Sequence, residues 1–154
     1  MIMAELAAAA SVLGITTFAF QGIKSTYDFI SGMREAPDQL KRIASELKGL
    51  QVVLGSIPKQ DDAVSIVRTI AQEMNLEGVI DTCNKACLEF VEKLKQWMPS
   101  PNDPSIFHRA RIQAHTSTIR ACRNIVRDTK ATVVLAEVVA IKSVTMYPIF
   151  VLCR

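Results

Sequence analysis

Between residues 76 and 97 the apolar side chains fall at Leu76, Val79 and Ile80, Cys83, Cys87, Phe90, Leu94 and Trp97. Steps of three and four place all of them on one side of an α-helix, whereas a half-buried strand would need alternation by two. Leu40, Ile43, Leu47, Leu50 and Leu54 repeat the pattern with steps of 3, 4, 3 and 4, and Lys41, Arg42, Glu46 and Lys48 lie off the stripe. Two such helices, each with a single apolar face, are stable only when packed against other helices.

The remaining segments supply them. Leu6, Leu13, Phe20 and Tyr27 recur every seven residues, with Ile23 and Ile30 on the same seam, so a long first helix is expected from Ala4 to Met33. Pro37 suits the first position of the second helix, which runs to Ser56. Asp61 or Asp62 can cap a short third helix ending near Met74. The run Pro99-Ser100-Pro101-Asn102-Asp103-Pro104 ends the fourth helix, and Asp103 then caps a fifth, expected as one helix from Pro104 to about Ala140 or further. Aromatic residues make up only 6% of the chain, and no Asn-Gly or Asp-Gly hairpin dipeptide occurs. The expected fold is therefore all-α, an antiparallel bundle of four to five helices with a long N-terminal helix. Leu13, Phe20, Leu47, Leu50, Phe90, Leu94, Trp97, Ile119 and Val126 should share its core. At 154 residues one domain is expected, over residues 1–142. Residues 143–154 lose the periodicity, contain Pro148, and are expected to form an atypical tail.

Charge is uneven. Residues 1–77 hold 7 Lys/Arg against 9 Asp/Glu, and residues 78–154 hold 11 against 6, so the net +3 comes from the second half. Such a bias favours an acidic partner or an anionic surface. Four cysteines, without a disulfide-like arrangement for a chain of this size, and no Asn-x-Ser/Thr site point to a reducing, cytoplasmic setting. The stretch Leu6 to Ile23 has no charge, yet it lacks the positive start and cleavage site of a secretory signal. Ser11, Thr16, Thr17 and Gln21 dilute it as a membrane span. A buried core helix is the simpler use for it, and entry into lipid the alternative.

Chemical motifs are missing. The chain has no phosphate-binding glycine loop, no dinucleotide fingerprint, no His-Glu-x-x-His and no nucleophile elbow. Cys83 and Cys87 (i, i+4) with His108 and His115 (i, i+7) could be assembled into a zinc set. Structural zinc prefers closer Cys-x-x-Cys knuckles, and all four residues are better explained as helix-stripe residues. Glu77, Asp81, Glu89 and Glu92 lie off the stripe as a solvated face, without the burial that general acid-base work requires. No cofactor, metal, catalytic residue or small-molecule substrate is expected, and the chain is read as not an enzyme. On the fifth helix Arg109, Arg120, Arg123, Arg127 and Lys130 share one face beside the apolar arc of Ile112, His115, Ile119, Cys122, Val126 and Val133. No aromatic interleaving accompanies these cations, so nucleic acid is not the expected partner. A solvated face is the plain explanation, with anionic lipid the alternative.

The segment Met3-Ala4-Glu5-Leu6, the following Ala-Ala-Ser-Val-Leu-Gly-Ile, Phe18-Ala19-Phe20, and Ile30-Ser31-Gly32-Met33-Arg34-Glu35-Ala36-Pro37 lead into Leu40 and Leu47-Lys48-Gly49-Leu50. With Cys83, Cys87, Phe90, Leu94 and Trp97, and Arg111-Ile112 to Cys122, this order resembles the fungal N-terminal domain of STAND proteins. These are HeLo-like helical domains, which include the N-terminal domain of azaphilone pigment biosynthesis cluster protein L. The resemblance covers roughly residues 3–140. It implies a bundle that serves as the signalling or effector end of an NLR-like receptor, with related domains acting in incompatibility and cell death through membrane damage by the first helix. The chain departs from fuller members because no nucleotide-binding module follows and the last helix is expected to stop near Ala140, as in a shortened gene product.

Two functions follow as expectations. One is a signalling or effector bundle that is membrane-active through Leu6, Leu13, Phe18 and Phe20, with Arg109, Arg120, Arg123, Arg127 and Lys130 on anionic headgroups. This places the protein in the cytoplasm and peripherally at a membrane. The other is a helical interaction or regulatory module that binds protein partners or itself, without membrane action.

Overall fold

A computed structural model describes residues 20–33, 35–57, 61–97 and 105–152, with side-chain surroundings given outside 61–64, 105–109 and 144–152. Six helices are present among the described residues: α1 (Gln21–Ser31), α2 (Asp38–Gly55), α3 (Asp61–Glu73), α4 (Leu76–Trp97), α5 (Ser105–Ala114) and α6 (Thr116–Leu152). No described residue is in a strand. The all-α bundle expected from the sequence is thus what forms. Leu6, Leu13 and Phe18 lie outside the described residues, as do the turn at 98–104 and its Asp103 cap.

Alternating three- and four-residue steps fix the ends of α4, and the helix runs over the residues that the pattern predicts. Pro37 stands one position earlier than expected, as the residue before α2, where its carbonyl accepts from the N–H groups of Leu40 and Lys41, both at 3.0 Å. Asn75 links α3 to α4 with φ of 52°, a left-handed conformation that asparagine tolerates and that closes α3.

Directions follow from the cross-links. Gly22 bonds to Asn84 and Thr26 to Cys87, so α1 and α4 run parallel. Lys130 meets Glu46 and Glu137 meets Ser56, so α2 and α6 also run parallel. Trp97 stacks on His115 at one end of the α4–α6 pair, and the Cys83, Cys87 and Cys122 thiols meet deeper in it, so α4 and α6 are antiparallel. Successive long helices therefore alternate in direction, while the most extensive contacts, α1 on α4 and α2 on α6, join parallel neighbours. Phe20, Leu47, Leu50, Phe90, Leu94, Ile119 and Val126 are all in one core. Trp97 is half-buried and packs on its edge.

The α1–α4 contact is close. The Gly22 N–H donates to Asn84 Oδ1 at 2.5 Å, and a Cβ on Gly22 would lie 2.7 Å from that oxygen and 3.0 Å from Leu88 Cγ. Only glycine lets the two backbones approach so closely. One turn on, the buried Thr26 hydroxyl donates to the Cys87 carbonyl at 3.0 Å.

The continuous fifth helix expected from the sequence is two helices. His115 is a turn: its N–H bonds to Ile112 O, three residues back, at 3.0 Å, and the Thr116 hydroxyl donates to Gln113 O at 2.8 Å. The Thr116-Ser117-Thr118 run offers the backbone such local alternatives to the helical ladder. At its other end α6 continues past Ala140 and through Pro148 to Leu152, so the backbone of residues 143–152 is helical.

Candidate functional site

The basic face of α6 divides into two parts. Lys130 lies along Gly49, 3.3 Å from where a Cβ would stand, and its Nζ reaches Glu46 Oε2 at 2.6 Å. Arg127 Nε lies 3.8 Å from Glu46 Oε1. One glutamate on α2 thus holds two of the five cations, and with Lys130 one-third exposed the Lys130 pair is a structural clasp between helices. Of the solvated row of cations that periodicity suggested, Arg127 is exposed as expected, whereas Lys130 is drawn against α2.

One and two turns nearer the start of α6 the arrangement differs. Arg120 is exposed and Arg123 half-buried, and across from them α2 contributes Gln39 and Arg42. With Thr116 and Ile119 these residues line a cavity of about 150 Å³. Among the described residues none of the three guanidinium groups has an ion-pair partner, and the buried Arg123 Nε has no hydrogen-bond partner. Because α2 and α6 are parallel, the cavity lies at the first turns of both helices. Both helices therefore point their positive dipole ends at it. A wider cleft of about 560 Å³ adjoins it at Gln39, lined by Glu35, Ala36, Pro37, Asp38, Lys41, Ile112 and Gln113. Arg109 belongs to α5, and its side chain is outside the described residues, so the five basic positions do not share one helix.

Phe20 is buried at 1% exposure beside Ile23, and contact between Phe20 and lipid would require it to leave the core. No helix among the described residues is long and apolar enough to cross a membrane.

Farther along, α6 carries Val134, Leu135, Val138, Val139 and Ile141 exposed, with Leu135 and Ile141 both at 55%. Val133, Ala136 and Ala140 on the opposite side are in the core. This half of α6 is apolar on two sides, of which the bundle covers one.

The thiols of Cys83, Cys87 and Cys122 are buried between α4 and α6. A hydrogen bond with Cys87 and burial push the Cys83 thiol far up, and a bond with Cys122 chiefly pushes Cys87 up to about 12. Cys83 and Cys87 are protonated at neutral pH. No group of three or more His, Cys, Asp or Glu among the described residues is placed to hold a metal ion. His115, one of the four residues of the zinc alternative, is instead stacked on Trp97 with ring centroids 4.0 Å apart and planes within 3°, and the side chain of His108 lies outside the described residues. Glu77, Glu89 and Glu92 are exposed; Asp81 pairs with Lys85, and Glu92 with Lys95.

The sequence reading missed Arg42, which it placed among the off-stripe residues of α2, and the Glu46 clasp. Only the pairing of α2 with α6 brings these residues together. It also missed the exposed valines, whose hydrophobicity does not reveal which side is covered.

A family model described as pigment biosynthesis cluster protein PigL N-terminal matches residues 3–148. Among curated proteins and among solved structures there is no significant match.

Proposed function

Starting from the fact that the chain belongs to the PigL N-terminal family, we propose that it is a non-enzymatic signalling or effector bundle of the kind found at the N-terminal end of fungal STAND, NLR-like proteins. It works in the cytoplasm by docking helix to helix along α6. The observation that carries this reading is the apolar face of Val134, Leu135, Val138 and Ile141 on the side of α6 away from the core. Large apolar side chains clustered in water mark an interaction surface. The occupant is an apolar helix of a protein partner, a second copy of the bundle included. Sedimentation of the full chain tests this, against a Leu135→Glu, Val138→Glu double variant. Self-association or partner capture by the parent, lost in a variant of unchanged helix content, is expected; equal behaviour of the two proteins refutes it.

A second function, peripheral action on an anionic membrane, is favoured by the exposed Arg120 beside the unpaired Arg42 and Arg123. Leakage of phosphatidylserine vesicles by the full chain tests it. If charge reversal of Arg120, Arg123 and Arg127 leaves leakage unchanged in a folded variant, these arginines have no part in it.

A further inference from the structure

We propose that the cavity between the first turns of α2 and α6 is a binding site for a phosphate monoester, held by Arg42, Arg120 and Arg123. Three arginines line one cavity of about 150 Å³, and no acidic residue is among the described residues lining it. Such a gathering of like charge favours an oxyanion with two negative charges, which guanidinium groups bind through charge-assisted hydrogen bonds. The cavity far exceeds the roughly 10–15 Å³ that a single water needs, so a tetrahedral oxyanion can enter it.

The donor geometry is suited to that ligand. Arg123 Nε is buried without a partner, an arrangement that folding alone leaves unsatisfied. Gln39 Oε1 is likewise buried and unpartnered, and turning the amide over puts its N–H₂ group at the same place. Two parallel helices begin here, and α2 has no side-chain cap on its first N–H groups. Both dipoles therefore favour an anion at this point. Neighbouring cations of the same face are excluded from the site, because Glu46 holds Arg127 and Lys130. Planar forks select a phosphate over a point-like anion such as chloride. This site is independent of the apolar docking face, which lies more than three turns farther along α6.

The same phosphate chemistry can come from a soluble compound or from a lipid headgroup, and two arms separate the sources. In the first, calorimetric titration of the full chain with inorganic phosphate and with inositol trisphosphate is run at constant ionic strength. Saturable binding is expected, about tenfold or more weaker in Arg123→Gln and in Arg42→Gln. Arg42 is exposed, so its variant keeps the fold even if Arg123→Gln does not, and Arg127→Gln should bind like the parent. In the second arm, phosphatidylcholine vesicles doped with phosphatidylinositol phosphate are compared with phosphatidylserine vesicles of equal surface charge. Preference for the former, reversed by inositol trisphosphate, assigns the site to a lipid headgroup; soluble binding without that preference assigns it to a soluble phosphate. Absence of saturable binding in both arms, or binding equally strong in Arg42→Gln and Arg123→Gln, overturns the proposal.

Discussion

Replacing Gly22 by alanine sets two effects of opposite sign against each other. Helix propensity alone makes the change stabilising by ~1 kcal/mol. In the structure the new methyl group would stand 2.7 Å from Asn84 Oδ1 and 3.0 Å from Leu88 Cγ, with the Asn84 carbonyl nearer still. Those atoms belong to the backbone and a buried side chain of α4, so α1 must move away. Overpacking of this kind costs about 1–3 kcal/mol, and stretching the buried Gly22–Asn84 hydrogen bond until it breaks adds about 1–3 kcal/mol. The net expectation is a loss of ~1–5 kcal/mol, or roughly 2–20 °C in melting temperature for a domain of this size. Urea unfolding followed by circular dichroism measures it. Gly49→Ala is the internal control, since its Cβ meets only the flexible Lys130 side chain at 3.3 Å, and it should be neutral or stabilising by up to ~1 kcal/mol. If Gly22→Ala is as stable as Gly49→Ala, close approach of α1 and α4 is not what glycine supplies.

Phe90→Ala should cost about 3–5 kcal/mol, whereas Trp97→Ala, half-buried and stacked on His115, should cost only ~2 kcal/mol; equal losses in urea unfolding would put Trp97 in the core after all. The thiols give a pH prediction. Because the Cys87 value is raised in the folded state, from 9.0 to about 12, its contribution to stability is complete below pH 9 and is lost as pH rises through that window. Urea midpoints should fall from pH 9 upward, and Cys87→Ala should flatten that slope. At pH 8 iodoacetamide should leave Cys83, Cys87 and Cys122 unmodified in the folded chain, as peptide mass spectrometry reads, and modification of any of the three at the rate of a free thiol would contradict their burial.

Periodicity made α4 legible almost to the residue, because its ends coincide with a left-handed asparagine and a proline run, and it identified most of the core. The break at His115 was invisible to it. Ile112, His115 and Ile119 keep steps of three and four across the turn, so the stripe continues in phase while the ladder does not. Single-helix patterns also say nothing of which helices become neighbours. Arg42 reads as an ordinary solvated residue until α2 is laid parallel to α6, and then it faces two arginines far from it in sequence. Glu46 and Lys130 have the same history. Apolar residues on α6 exceed what one buried face can use, and that excess was countable in the sequence, but the uncovered side was not.

Pairing parallel neighbours has a consequence for how the chain is made. The bonds that tie α1 to α4 and α2 to α6 join residues 61 to 84 positions apart, and closing such long loops is slow compared with forming local contacts. When α1 and α2 leave the ribosome, the helices that cover their apolar stripes have not yet been synthesised. At ~5–20 residues per second, Leu40, Leu47 and Leu50 wait several seconds for α6. The half-finished chain is therefore the form most exposed to aggregation, and a fragment ending before α6 would remain in that condition.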